Sequence, residues 1–193
     1  MADYAIPVSW YDFVDYYPLF YLSKTKTAPP KIILKLKDPS ASLAGELDGW
    51  VTGLINESPS YTTCCIQMSH AINMAFYRKD ASKMVGLKTY RRKTRGFKIK
   101  SIGNQEFHYV PSVDEMKKFL EEKFGAGLEI KSKDDINGTP GIIVFMSGLP
   151  YGLHTEVWTG DNFHQAWMRG NFNSLKRPKV FFWGLGDPTR PDV

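Results

Sequence analysis

Tyr61-Thr-Thr-Cys-Cys-Ile-Gln-Met-Ser-His-Ala-Ile-Asn73 holds both cysteines of the chain and runs from a threonine pair into a helical pattern. Residues three or four apart share a helix face, and here they form two adjoining apolar stripes: Cys64, Met68, Ala71 and Ala75, then Cys65, Met68, Ile72 and Phe76. The spacing predicts a helix packed along that side against a sheet, with its first turn at the layer's edge and Thr62 or Thr63 as its cap. A thiol in the first turn feels the positive end of the helix dipole and the unpaired backbone N–H groups. Both favour the thiolate, the form that attacks a carbonyl carbon. Cysteine also serves as an inert core residue, and phasing leaves the choice between Cys64 and Cys65 open. His70 lies off the Cys64 face, so a base for that sulfur has to come from elsewhere in the chain.

Upstream, Leu43, Leu47, Trp50, Val51 and Leu54 recur at helical spacing within Ser42 to Ile55, ahead of a turn at Pro59. Residues 1 to 40 mix aromatics with turn formers, and Ile32-Ile-Leu-Lys-Leu-Lys37 reads as a short strand or extended piece. They are expected to wrap the periphery of a single domain spanning 1 to 193. Downstream, Ser112-Val-Asp-Glu115 has capping-box form, Met116, Phe119, Leu120 and Phe124 line one face, and Gly125 follows. Together they predict a helix over 112 to 124.

Beyond it the pattern turns to strands: Gly141 to Met146, Leu153 to Trp158, Phe163 to Met168 and Val180 to Trp183, with Thr159-Gly-Asp-Asn162 as a hairpin turn. Helices first and an antiparallel sheet afterwards make an α+β domain.

A chain of 193 residues buries about 70% of its extended surface and needs no disulfide staple. Consecutive cysteines are poor material for one, because a bridge between neighbours strains the intervening peptide. The N-terminus, Met1-Ala-Asp-Tyr-Ala-Ile-Pro-Val-Ser-Trp-Tyr-Asp-Phe13, carries an early acid and lacks the form of a signal peptide. No run reaches the length of a membrane span. The formal charge is +5, and Lys88 to Lys100 holds seven basic residues in thirteen, with Tyr90 and Phe97 interleaved. Such a strip suits a polyanion, but no zinc-finger spacing or phosphate-binding glycine loop accompanies it. Nucleic-acid binding therefore ranks behind a solvated basic face.

His154 opens a strand after Gly148-Leu-Pro-Tyr-Gly152, and alternation places Glu156 and Trp158 on its face of the sheet. Cysteine hydrolases need an imidazole within reach of the sulfur and a third polar group to orient the ring, drawn from distant parts of the chain. Cys64 or Cys65, then His154, then a polar residue on the next strand offers that order. His108, in Glu106-Phe-His-Tyr109, is a weaker candidate because it precedes a helix and has no adjacent orienter.

The Tyr61 to Asn73 segment resembles the nucleophile segment of the family-four amidase effectors of the type VI secretion system, papain-like enzymes in which an Asn-Thr-Cys-Ala run opens the core helix. Phe107-His-Tyr-Val110 with Met116 to Gly125 is similar to that family's strand and following helix, and Gly141-Ile-Ile-Val-Phe145 to its central strand. His154-Thr-Glu-Val-Trp-Thr-Gly160 resembles its His-x-Asp-Leu-Trp-x-Gly segment.

The resemblance covers about residues 45 to 168 and implies a papain-like cysteine amidase, helices packed on an antiparallel sheet. It implies hydrolysis of bacterial peptidoglycan stem peptides at the γ-D-glutamyl to meso-diaminopimelate amide, without metal or organic cofactor. It further implies synthesis in the cytoplasm, export into the periplasm or cell wall of rival bacteria, and a cognate immunity protein. Aligning Ser69 with the family's serine makes Cys64 the nucleophile, and His154 aligns with the family's base. The family's aspartate falls at Gln165, with Asp161 and His164 as alternatives if the hairpin register differs; Gln67 stands where the family usually has arginine. A glutamine accepts a hydrogen bond but adds no charge, so a non-catalytic cell-wall or polyanion-binding protein on the same scaffold is the alternative.

Overall fold

The computed structural model describes residues 6–22, 32–35, 63–77, 79–85, 100–102, 105–149, 152–164 and 178–186. The elements follow in the order α1 (Trp10–Asp15), β1 (Leu19–Leu22), β2 (Ile32–Lys35), α2 (Thr63–Tyr77), β3 (Lys100–Ile102), β4 (Gln105–Phe107), α3 (Val113–Phe124), β5 (Leu128–Ile130), β6 (Gly141–Phe145), β7 (His154–Trp158) and β8 (Val180–Gly184). Contacts divide the chain into two units, Met1–Val14 with Ser112–Val193, and Asp15–Pro111. The helix expected over 42 to 55, the Pro59 turn and residues 88 to 99 of the basic strip lie outside the described residues, while Lys100 opens β3.

In the unit of residues 15–111, the extended piece expected at 32 to 37 forms β2, paired antiparallel with β1 from Leu19↔Lys35 to Leu22↔Ile32. β3 and β4 pair the same way. The cysteine helix is α2, with Thr63 already helical. Its burial departs from the one-sided picture drawn from the two apolar stripes. Gln67, Ser69, His70 and Asn73 are buried along with Cys64, Cys65, Met68, Ile72 and Phe76. A helix enclosed on every side must supply partners for its polar side chains.

Ser69 Oγ accepts from the Val110 N–H at 2.9 Å. Asn73 Nδ2 donates to the His108 carbonyl at 2.7 Å, while its Oδ1 accepts from Val85 N at 2.9 Å. The spacing explains the match. Four residues of helix rise about 6 Å and two of extended chain about 6.6 Å, so Ser69 and Asn73 meet alternate residues of 108–110 running the opposite way.

In the other unit, Ser112 Oγ caps α3 by accepting from Glu115 N at 3.4 Å, and Gly125 ends it at φ 83°. Met116, Phe119 and Leu120 are buried. The sheet order is β5-β8-β6-β7, every pair antiparallel. α3 packs on it, with Lys117 Nζ 4.3 Å above the Phe181 ring. Trp183 Nε1 donates to the Gly125 carbonyl at 2.9 Å. On one side of the sheet, Ile130, Ile143, Phe145, Val180 and Phe182 join Ile136, Leu149, Trp158 and Phe163 in an apolar cluster.

Ile6 completes this unit through a parallel bridge to Leu185. The fold class is α+β, as expected. Thr159-Gly-Asp-Asn162 forms its turn, with Thr159 N to Asn162 O at 2.8 Å and Gly160 at φ 105°. Trp158 bridges Phe163, the backbone bends at His164, and residues 165 to 168 of the expected strand lie outside the described residues.

Candidate active site

Cys64 and Cys65 occupy the first turn of α2, neither in a disulfide, at 4% and 0% exposure. The first-turn N–H groups have no partner within the helix, so each sulfur lies close to a positive dipole end. Gln67 is buried one turn from Thr63 and donates from Nε2 to the Pro18 carbonyl at 2.7 Å. This side chain works as a tether between the helix and the segment leading into β1.

His70 is engaged with Tyr109. Its Nδ1 lies 3.1 Å from the Tyr109 hydroxyl, and burial pushes its pKa from 6.5 down to about 4. Burial pushes Tyr109 the other way, above its ordinary range. Both stay neutral near pH 7, and the rings stack with centroids 6.2 Å apart. His108 is half-buried and uses its backbone carbonyl to receive Asn73.

His154 is the first residue of β7, 6% exposed, opposite Phe145 of β6. The two rings stack at 6.4 Å between centroids. Glu156, two residues on, is completely buried, with Oε2 3.5 Å from His154 Nε2 and Oε1 accepting from Val157 N at 2.8 Å. Alternation had put this acid on the face of His154; its burial, the feature that makes it matter, depends on the apolar cluster around it and had no signal of its own.

Gln165 lies outside the described residues. Asp161 is exposed, its Oδ1 accepting from the Thr159 hydroxyl at 2.5 Å within the turn. His164 packs edge-on against Trp10 and donates its backbone N–H to Val157 O at 2.8 Å. Among the described residues no group of three or more His, Cys, Asp or Glu is placed to hold a metal, and no helix is long and apolar enough to cross a membrane.

A family model described as type VI secretion system (T6SS), amidase effector protein 4, or Tae4, matches residues 61–183. The chain belongs to this family. It is thus a type VI secretion amidase effector, and the match takes in Cys64, Cys65, His154, Glu156 and Gln165. Among solved structures, Tae4 of Enterobacter cloacae in its effector–immunity complex with Tai4 superimposes with a TM-score of 0.51. It is 19% identical over 76% of this chain and 89% of that one, and shows that the Tae4 fold is shared. Tae4 of Salmonella typhimurium, in complex with the immunity protein Tai4 of Enterobacter cloacae, reaches a TM-score of 0.48 at 20% identity over 78% of this chain and 91% of that one. No curated protein matches the chain.

Proposed function

We propose that this effector is a cysteine amidase that cleaves peptidoglycan stem peptides at the γ-D-glutamyl to meso-diaminopimelate amide and acts as an antibacterial toxin. Residues 1 to 193 would make one amidase domain with 1 to 40 as a peripheral wrap, delivered to the periplasm or cell wall of target bacteria and countered by a cognate immunity protein. The observation that carries the reading is the family match, which starts three residues before Cys64 and runs past His154. The Tai4 immunity partner of the Enterobacter cloacae relative supports the last element.

Cys64 is the nucleophile. His154 takes its proton, and the thiolate attacks the amide carbonyl carbon. The oxyanion that forms is met by the Cys64 backbone N–H, which lies in the first helical turn at the positive end of the dipole. Collapse breaks the C–N bond as His154 returns the proton to the departing amine, leaving a thioester. His154 then deprotonates a water that attacks the thioester, and the carboxylate product leaves with the thiol restored. The sequence points to Gln165 as the third member. The steps call for no metal or organic cofactor.

The test is mass spectrometry of fragments released from diaminopimelate-type peptidoglycan by the wild type, Cys64→Ala and Cys65→Ala. New amine and carboxylate ends at one bond, lost in Cys64→Ala and kept in Cys65→Ala, are expected. The reverse pattern would move the nucleophile to Cys65. Release by none would favour the non-catalytic binding protein.

A further inference from the structure

A glutamine at position 165 can accept a hydrogen bond from an imidazole but cannot balance an imidazolium. β7 itself carries an acid that can. Glu156 stands two residues from His154 on the same face, and in register it lies opposite Ile143, which is itself opposite Phe182. That face is otherwise the apolar cluster of Ile143, Phe145, Trp158, Phe163, Val180 and Phe182. A carboxylate with 0% exposure among such side chains is strongly destabilised unless each oxygen meets a donor. Oε1 meets the Val157 N–H at 2.8 Å, and Oε2 lies 3.5 Å from Nε2 of His154.

We propose that Glu156 is the positioning residue of the site: Oε2 receives the Nε2–H of His154 and so presents Nδ1 as the nitrogen that exchanges a proton with Cys64. The assignment rests on the reading of His154 as the base. Three features of the structure act together. Glu156 is held at its other oxygen by the backbone of its own strand. The His154 ring lies against Phe145, so its plane is set. The ring and the acid share a short rigid strand, so their separation does not depend on a loop.

A carboxylate behind the ring fixes the tautomer and stabilises the imidazolium formed when the thiol gives up its proton. The acid is thus supplied from the histidine's own strand, and the charge that Gln165 lacks is present by another route.

A merely structural Glu156 would serve to satisfy donors such as the Val157 N–H, a task a glutamine carbonyl performs as well. Glu156→Gln separates the two roles. Its amide nitrogen would face Nε2 as a donor, making Nε2 an acceptor and driving the ring proton to Nδ1. The experiment is ¹⁵N NMR of the imidazole nitrogens in a Cys64→Ala background, at a pH where the ring is neutral, with His154 assigned by loss of its signals in His154→Gln.

The expected result is an Nε2–H tautomer with Glu156, an Nδ1–H tautomer in Glu156→Gln, and no change in Gln165→Ala. In the Cys64 enzyme, Glu156→Gln should lower kcat about ten- to hundredfold with KM within about twofold, and Glu156→Asp, which keeps the charge, should lose less. An Nδ1–H tautomer with Glu156 in place overturns the proposal, as does a tautomer that Gln165→Ala moves and Glu156→Gln does not. If Glu156→Gln does not fold, the tautomer of the Glu156 protein alone decides the assignment. The tautomer is read without turnover, so failure of the wild type to release stem peptides would sink the amidase reading separately.

Discussion

His70 gives the fold a measurable pH dependence. It is 2% exposed inside the helix that carries the cysteines, and burial lowers its pKa from 6.5 to about 4. Above pH 6.5 the ring is neutral in both folded and unfolded chains, so the full benefit of burying it neutral is present. As the pH falls towards 4 the unfolded chain takes up a proton that the folded one refuses, and stability drops. The slope is about 1.4 kcal/mol per pH unit, and across that window it sums to about 3 kcal/mol. Below the folded pKa both states are protonated and the loss stops.

Urea unfolding of the wild type and His70→Asn, stepped from about pH 7 to about pH 4, isolates the term, because the carboxylates titrate in both proteins and cancel in the difference. Asparagine keeps a polar atom for the Tyr109 hydroxyl, so the variant should fold with a lower stability at neutral pH. The gap between the two proteins is expected to close by about 3 kcal/mol on acidification. Parallel curves would refute the reasoning and mean that the folded helix admits a charged His70 at little penalty.

Other residues give sharper single-site outcomes. Asn73→Ala strips partners from the His108 carbonyl and the Val85 N–H together; with one part-buried and one buried bond lost, unfolding in urea should show a loss of about 2–3 kcal/mol at an unchanged slope. Gly141→Ala would drive a Cβ into the Phe182 ring and to within 2.5 Å of the Trp183 carbonyl, in the middle of the sheet. Thermal unfolding should move down by an amount corresponding to about 1–3 kcal/mol. Ser112→Ala removes the oxygen that receives Glu115 N–H at the start of α3 and should lower unfolding free energy by about 1 kcal/mol, while Ser112→Asp should keep most of it.

The parts legible in the sequence are those whose cause is local. α3 carries its own cap, apolar stripe and terminal glycine within Ser112 to Gly125, and it forms there. β6 and β8 are short apolar runs and β7 is a mixed strand that follows Gly148-Leu-Pro-Tyr-Gly152, and each forms within a residue or so of its expected bounds. The α2 helix was legible as a helix but not as a buried pillar. Three of its four buried polar residues, Gln67, Ser69 and Asn73, meet backbone groups at Pro18, Val110, Val85 and His108, the fourth, His70, meets the Tyr109 hydroxyl, and nothing in the local pattern of 63–77 points to these partners. The β1–β2 pair was half visible: a strand at 32 was expected, while its partner sits in an aromatic stretch without alternation.

Glu156 shows where such reading stops and what replaces it. Its position on the face of His154 follows from a period of two, a property of any strand. What gives the carboxylate a role is its complete burial, with Ile143 of β6 opposite it and Phe182 of β8 opposite Ile143 in turn. These come from sequence 13 and 26 residues away in the chain. An acid on an exposed strand would be a solvated ornament; the same acid at 0% exposure must hold a donor on each oxygen, and the imidazole of His154 lies beside the oxygen that Val157 does not take. Burial therefore raises the demand for a donor that the His154 imidazole is placed to meet, and it turns a departure from the family's acid at Gln165 into a prediction about where this chain keeps its charge.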